Sequence, residues 1–323
     1  MNSILINSSR VNTEMKDSNG LSFIQANTIP MSYRELRENH LIPVFVKDNE
    51  PVISHIDFIN STMDMVQQCY HGEVILNPSI RVSHPIKGRI PEAKDKPANE
   101  LLDFEKTIYY ERMAFMIEIP SIKETIDGNN VSLTVGGVKS YASDNLHNRK
   151  GVDEHFKIFI GFQNKVCCNL CIWSDGYVED LRVKNLAQLM NGVYTMIVSF
   201  SIDNQINSLN KLKSYYLTDN QFASLMGRTR LYHYLSSGQK NKIPELRFGD
   251  TQLGMIARDY YHDQSFCRES DGSINLWKVY NLFTGANKQS YIDTFLSRGV
   301  NAFEFVDKLA YSLESNESNW FLS

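Results

Sequence analysis

Phe156-Lys-Ile-Phe-Ile-Gly-Phe162, Gln163-Asn-Lys165 and Val166-Cys-Cys-Asn-Leu-Cys-Ile-Trp173 read together as a buried β-hairpin. Phe156, Ile158, Ile160 and Phe162 share one face at the two-residue period of a strand. Val166, Cys168, Leu170 and Ile172 repeat the pattern on the returning strand. The opposite face carries Phe159, Cys167, Cys171 and Trp173, so it is apolar too. A strand apolar on both faces belongs in the middle of a sheet that is covered on both sides. The polar residues Gln163 to Lys165 suit a three-residue hairpin loop.

This reading places three of the five cysteines in a core strand, where they are structural. Cys168-Asn-Leu-Cys171 has C-x-x-C spacing, but a zinc site needs about four ligands. Cys69 and Cys267 stand alone, with no second C-x-x-C. In a strand, an odd separation also turns Cys168 and Cys171 to opposite faces. Buried thiols of this kind are ordinary core residues.

Working outward, Ser54 with Asp57 reads as the capping box of a helix bearing Ile56, Ile59, Met63, Val66 and Tyr70, stopped at Gly72. Tyr33–Asn39 forms a helical turn and Pro43–Val46 a short strand. Pro85, Pro91 and Pro97 make Ile80–Asn99 a long loop or irregular edge. Met113, Phe115, Ile117 and Ile119 alternate in a strand that ends at Pro120. Asp127-Gly-Asn-Asn130 is a turn. The phase slip from Val135 to Val138 predicts a β-bulge at Gly136-Gly137. Asp175-Gly176 predicts a turn into a strand over Tyr177–Val183. From Asn185 onward the period becomes helical: Leu186, Leu189, Met190, Val193 and Ile197, then Ile206, Leu209, Leu212 and Tyr216. Further starts are expected at Thr218 with Gln221, at Thr251, and at Asn301 with Glu304.

Strands followed by helices give the α+β class. The expected architecture is a mostly antiparallel sheet of five or six strands over residues 100–185, flanked by helices. A flexible arm spans 1–32, the sheet domain 33–184, and a helical subdomain 185–323. The chain has 323 residues, 42% hydrophobic and 22% charged, with net charge −4. That balance asks for no polyanionic partner overall, and the length suffices for a core without metal or disulfides. The odd cysteine count favours a reducing cytoplasm. No secretory leader and no membrane-spanning run is expected.

Several blocks together resemble a known family: Ser83–Glu100, Leu133–Lys139, His155–Cys171 and Asn275–Asn287. From about Tyr33 to Trp320 the chain is similar to domain-of-unknown-function family 3871, found in gut anaerobes near mobile elements. The hairpin and Tyr280-Asn-Leu-Phe-Thr284 also resemble a broader phage- and plasmid-associated domain. The resemblance implies a setting of mobile DNA, and it brings no catalytic residues.

No nucleophile elbow, P-loop or dinucleotide fingerprint occurs, and no cofactor is expected. Asp144, Asp153, Glu154 and Asp175 are acidic groups near the hairpin ends. Asp259 and Asp263 fall one helical turn apart. Solvent-facing acids are the simpler reading of that pair, with a metal-dependent nuclease as one alternative. The basic segments carry the leading expectation. Residues 208–247 hold Lys211, Lys213, Arg228, Arg230, Lys240, Lys242 and Arg247 against Asp219 and Glu245, with Tyr215, Tyr216, Tyr232 and Tyr234 interleaved. Residues 81–96 add Arg81, Lys87, Arg89, Lys94 and Lys96 against Glu92 and Asp95. Cations that meet phosphates and rings that stack on bases describe single-stranded DNA or RNA binding. Lys87, Arg89, Lys94, Lys96, Arg228 and Arg230 would contact phosphate, and Tyr232 and Tyr234 would stack. A protein–protein or inhibitor module is the other alternative, with Trp320-Phe-Leu322 either a docking peptide or folded back on the body.

Overall fold

The computed structural model describes residues 22–39, 52–145 and 153–322. Residues 1–21 of the expected arm and the expected strand at Pro43–Val46 lie outside the described residues.

The first elements are β1 (Ile29–Met31), α1 (Tyr33–Asn39) and α2 (His55–Cys69). The capping box forms as the sequence predicts: Asp57 N–H donates to Ser54 Oγ at 3.0 Å, and Ser54 N–H donates to Asp57 Oδ2 at 2.9 Å. The described part of the N-terminal arm is built into the body. Phe23 and Ile24 are buried, and β1 pairs with the next strand.

The strands that follow are β2 (Ser79–Val82), β3 (Pro85–Arg89), β4 (Lys106–Tyr110), β5 (Arg112–Ile126) and β6 (Asn129–Ser140). Helix α3 (Tyr141–Asn145) then leads to β7 (Glu154–Asn164) and β8 (Leu170–Val183). Six of them make an antiparallel sheet in the order β1-β2-β5-β6-β7-β8, and β3 with β4 makes a separate ribbon. The chain is therefore α+β, as its pattern implies. The expected loop over Ile80–Asn99 instead contains strand: Pro85 opens β3, a position where a missing N–H is tolerated.

Three local expectations are corrected by the pairing. First, β5 passes through Pro120 with a bulge, the register stepping from Ile119↔Leu133 to Lys123↔Ser132. Second, β6 is regular at Gly136-Gly137. These glycines answer to packing. A Cβ on Gly137 would lie 2.4 Å from the Phe58 ring of α2, and one on Gly136 would lie 2.1 Å from the Phe115 carbonyl oxygen. Val135 and Val138 simply face opposite cores. Third, β8 continues past Asp175-Gly176. Its pairing with β7 jumps from Gly161↔Ile172 to Phe159↔Tyr177, so the strand bulges instead of turning.

The decisive hairpin forms, with a longer loop and another register. Phe162 pairs with Cys171 and Gln163 with Leu170, which leaves residues 165–169 as the turn. Cys171 and Trp173 therefore share the face of Phe156 to Phe162, while Leu170 and Ile172 join Phe159. Loop length sets which side chains share a face. Cys171 is in the core strand, but Cys167 and Cys168 lie in the turn, where Cys168 has φ +57°.

The second half contains α4 (Leu186–Ser199), α5 (Ile202–Leu212), β9 (Tyr216–Leu217), α6 (Asp219–Tyr232) and α7 (Ser237–Lys240). Then come α8 (Asp250–His262), β10 (Ile274–Asn275), α9 (Leu276–Asn287) and α10 (Ile292–Ser315). Helix α10 starts well before the cap expected at Asn301. Asn301 lies inside it, accepting from Arg247 N–H and donating to the Glu245 carbonyl. Helices α2 and α4 share the larger core, where the Phe58 ring meets Phe115 at 4.9 Å and Phe156 at 4.8 Å. Phe159, Leu170 and Ile172 meet the smaller core of Phe23, Ile24, Ile292, Phe295, Leu296 and Val300. Both faces of β7 are thus covered.

Candidate functional site

The β3–β4 ribbon carries four of the eight residues expected to bind nucleic acid. Antiparallel pairing sets Lys87 opposite Ile108 and Arg89 opposite Lys106. Lys87 and Lys94 are exposed. The Arg89 guanidinium donates to the Lys96 carbonyl, and the Lys96 ammonium pairs with Glu105, itself buried. Lys106 pairs with Asp103 at 2.8 Å. Over residues 85–110, Lys87, Arg89, Lys94, Lys96 and Lys106 are balanced by Glu92, Asp95, Glu100, Asp103 and Glu105. The ribbon and its loop are charge-neutral. Its distinctive feature is apolar: Phe104 is 72% exposed, and Leu102 and Ile86 are exposed with it.

The remaining four residues lie on and beyond α6. Arg228 donates to the Trp320 carbonyl at 2.6 Å, and its guanidinium lies 5.3 Å from the centre of the Trp320 indole. Tyr232 is buried against Phe321, ring centres 6.0 Å apart, and the Lys240 ammonium lies over it. A base can reach Tyr232 only if the tail lifts. Arg230 and Tyr234 are exposed. Elsewhere in the basic segment, Lys211 pairs with Glu314 at 2.7 Å and Arg247 with Glu245 at 3.0 Å. Lys213, Arg230 and Lys242 are exposed with no ion-pair partner among the described residues. Of the two readings of the tail, the structure has it folded back, with Phe321 fully buried against Phe305 at 4.8 Å.

The two basic segments are anchored by opposite ends of α10. The ribbon joins β5 at Arg112, whose guanidinium pairs with Asp293 in the first turn of α10 at 2.6 Å. The Arg228–Trp320 contact lies by the other end of α10, where Asn319 donates to Ser312 Oγ. About 30 Å of helix, at ~1.5 Å per residue, separates Asp293 from Ser312.

The acidic candidates disperse as well. Asp259 pairs with Arg258 at 2.6 Å, and Asp263 accepts from the N–H groups of Ser265 and Phe266. Asp175 accepts from Gln205 and Asp153 faces Lys184. Asp144 and Glu154 do meet, on the buried ammonium of Lys139 at 2.9 Å each. Among the described residues no three His, Cys, Asp or Glu side chains converge to hold a metal ion.

The model of the family DUF3871, described as "Domain of unknown function, B. Theta Gene description", matches residues 5–322. The chain belongs to this family. No curated protein and no solved structure matches it. The DUF3871 match takes in the sheet, the ribbon and the helical half alike, beyond the span from Tyr33 to Trp320 that carries the resemblance in sequence. No helix among the described residues of this DUF3871 protein is long and apolar enough to cross a membrane.

Reading the sequence for charge passed over Phe104, which sits among Asp103, Glu105 and Lys106. An apolar residue in a charged, proline-bounded loop, with no strand or helix period to bury it, is the signal that points to it.

Proposed function

We propose that this DUF3871 protein is a non-catalytic binding protein whose β3–β4 ribbon docks on a protein partner. The observation that carries the reading is Phe104, an aromatic ring 72% exposed in the loop that closes the ribbon. An exposed aromatic among apolar neighbours and paired charges has the composition of an interface centre with its polar rim. The even charge balance of residues 85–110 supports a protein surface over a polyanion, because phosphate affinity grows with the number of uncompensated cations. Outside β3 and β4 the ribbon has no strand neighbour among the described residues, so an edge is open for a partner strand. Five free cysteines favour a reducing compartment, and a cytoplasmic location belongs to the proposal. So does the mobile-element setting implied by the family resemblance.

A second reading, single-stranded nucleic-acid binding, is supported by one feature. Arg230, Lys213 and Lys242 are exposed and unpaired among the described residues, and Tyr234 is 84% exposed close to Arg230. Such a surface offers phosphate contacts and one stacking ring.

A photo-crosslinking amino acid placed at Phe104, with Tyr261 on α8 as the control position, tests the first reading in cells. One protein adduct specific to position 104, lost on Leu102→Asp, is the expected result. Equal adducts at both positions overturn it. Fluorescence anisotropy with single-stranded DNA, duplex DNA and RNA across a salt series tests the second. Binding whose logarithm falls linearly with log salt, and which weakens on Arg230→Glu, would establish that reading in place of the first.

A further inference from the structure

The turn between β7 and β8 forms one wall of a cavity of about 300 Å³. The C-terminal end of α8, the loop after it and α9 supply the other walls, and Gln25 closes one side. Two of the blocks of family resemblance, 155–171 and 275–287, meet here. The turn is held in a backbone conformation that side-chain-bearing residues seldom adopt: Cys168 has φ +57°. Cys168 N–H donates to the Asn164 carbonyl at 2.8 Å, and the Lys288 ammonium donates to the Cys167 carbonyl.

Two polar groups in this cavity lack the partners that burial demands. Lys288 is only 6% exposed, yet the one hydrogen-bond partner of its ammonium among the described residues is that neutral carbonyl, with no carboxylate at ion-pair distance. An ammonium left this way is unfavourable. Burial pushes its pKa down, against smaller opposing effects from Cys167, Cys168 and Asp263. Asn169 is 2% exposed. Its Nδ2 donates to the Asn281 carbonyl at 3.0 Å, and its Oδ1 has no hydrogen-bond partner among the described residues. The amide faces Gly285, another wall residue. A Cβ there would sit 3.7 Å from Nδ2 and 4.0 Å from Oδ1 of Asn169. One cavity therefore presents spare cationic donors and a spare acceptor, with Asp259 and Asp263 also in its lining.

We propose that this cavity binds a small molecule carrying a carboxylate beside an ammonium or amide N–H, the chemistry shared by a free amino acid and the end of a short peptide. The carboxylate meets Lys288, and the N–H donates to Asn169 Oδ1. Asp263 adds a negative potential that favours a charged amine. The volume lies at the lower end of small-molecule sites, which suits a ligand of this size. This assignment is independent of the ribbon. The β7–β8 turn is at the end of the sheet where Val131 pairs with Asn164, away from Arg112 and the ribbon.

Isothermal titration calorimetry of the full chain with the proteinogenic amino acids, matching dipeptides, propionate and propylamine tests it. The expected result is saturable binding of at least one amino acid or dipeptide, and the stronger of the two arms identifies the source. Propionate and propylamine, each lacking one group, should bind at least roughly tenfold more weakly, about 1.4 kcal/mol. Lys288→Met should weaken the interaction by a similar factor. So should Gly285→Leu, which fills the cavity and leaves both polar groups in place, so it carries the test alone if Lys288→Met does not fold. No heat of binding up to about 10 mM, equal binding of the two controls, or affinity unchanged by Gly285→Leu overturns the proposal.

Discussion

Replacing Lys139 by methionine probes a fully buried charge. The side chain is fully buried, with its ammonium 2.9 Å from Asp144 Oδ2, 2.9 Å from Glu154 Oε2 and 4.0 Å from the centre of the Phe156 ring. Each carboxylate also holds backbone: Asp144 accepts from His155 N–H, and Glu154 accepts from Ile53 N–H just before α2. One ammonium therefore ties β6, α3, β7 and the entry to α2. Lys139→Met takes this ammonium from two carboxylates in a dry site, and breaking a buried pair in this way costs about 3–5 kcal/mol. At ~2.1 cal/mol/K of unfolding entropy per residue, a chain this long has roughly 0.7 kcal/mol/K, so Tm should fall by about 4–7 °C. Thermal melts followed by circular dichroism measure the shift. The triple variant Lys139→Met, Asp144→Asn, Glu154→Gln removes every charge and should recover most of the loss, because a neutral cluster has no ion to desolvate. A single variant that melts within about 1 °C of the parent, or a triple variant no better than the single, would refute the reasoning.

Other outcomes follow from the same structure. Phe321→Ala, which empties the contact with Phe305 and Tyr232, should destabilise by about 3–5 kcal/mol in urea titrations; a change under about 1 kcal/mol would mean the tail does not pack. Gly137→Val should abolish folding, seen as loss of the parent's elution peak on gel filtration, since even the first added carbon meets the Phe58 ring at 2.4 Å. Burial pushes the Cys167 thiol up from 9.0 to about 11. The unfolded chain releases that proton first, so the stability it lends is complete below the unfolded pKa and is lost as pH rises from 9.0 to about 11. Urea midpoints should fall across that window, by about 1.4 kcal/mol per pH unit for this group, and less steeply in Cys167→Ala.

Features that depend on near neighbours in the chain were legible from residue order. The Ser54–Asp57 and Thr218–Gln221 caps are three-residue interactions and form as read. The two-faced apolar run of β7 announced a covered central strand, and strands before helices announced the class. Period was silent for α9, because ten of its residues are buried and a helix apolar all round has no stripe. Register was also beyond reach. Phe162 pairs with Cys171 and not with Val166, an odd shift of five residues that exchanged the faces of the returning strand and moved Cys167 and Cys168 out of it. Tertiary structure alone decided what the charges do. A run of lysines and arginines gives the number of cations but not what neutralises them: Lys211 meets Glu314 across 103 residues, and Arg228 meets the Trp320 carbonyl across 92. The cavity beside Cys167 joins Asn169 to Asn281 across 112 residues. Hydrogen bonds and ion pairs act over a few ångströms in space, and only the packed chain brings groups so distant in sequence within that range.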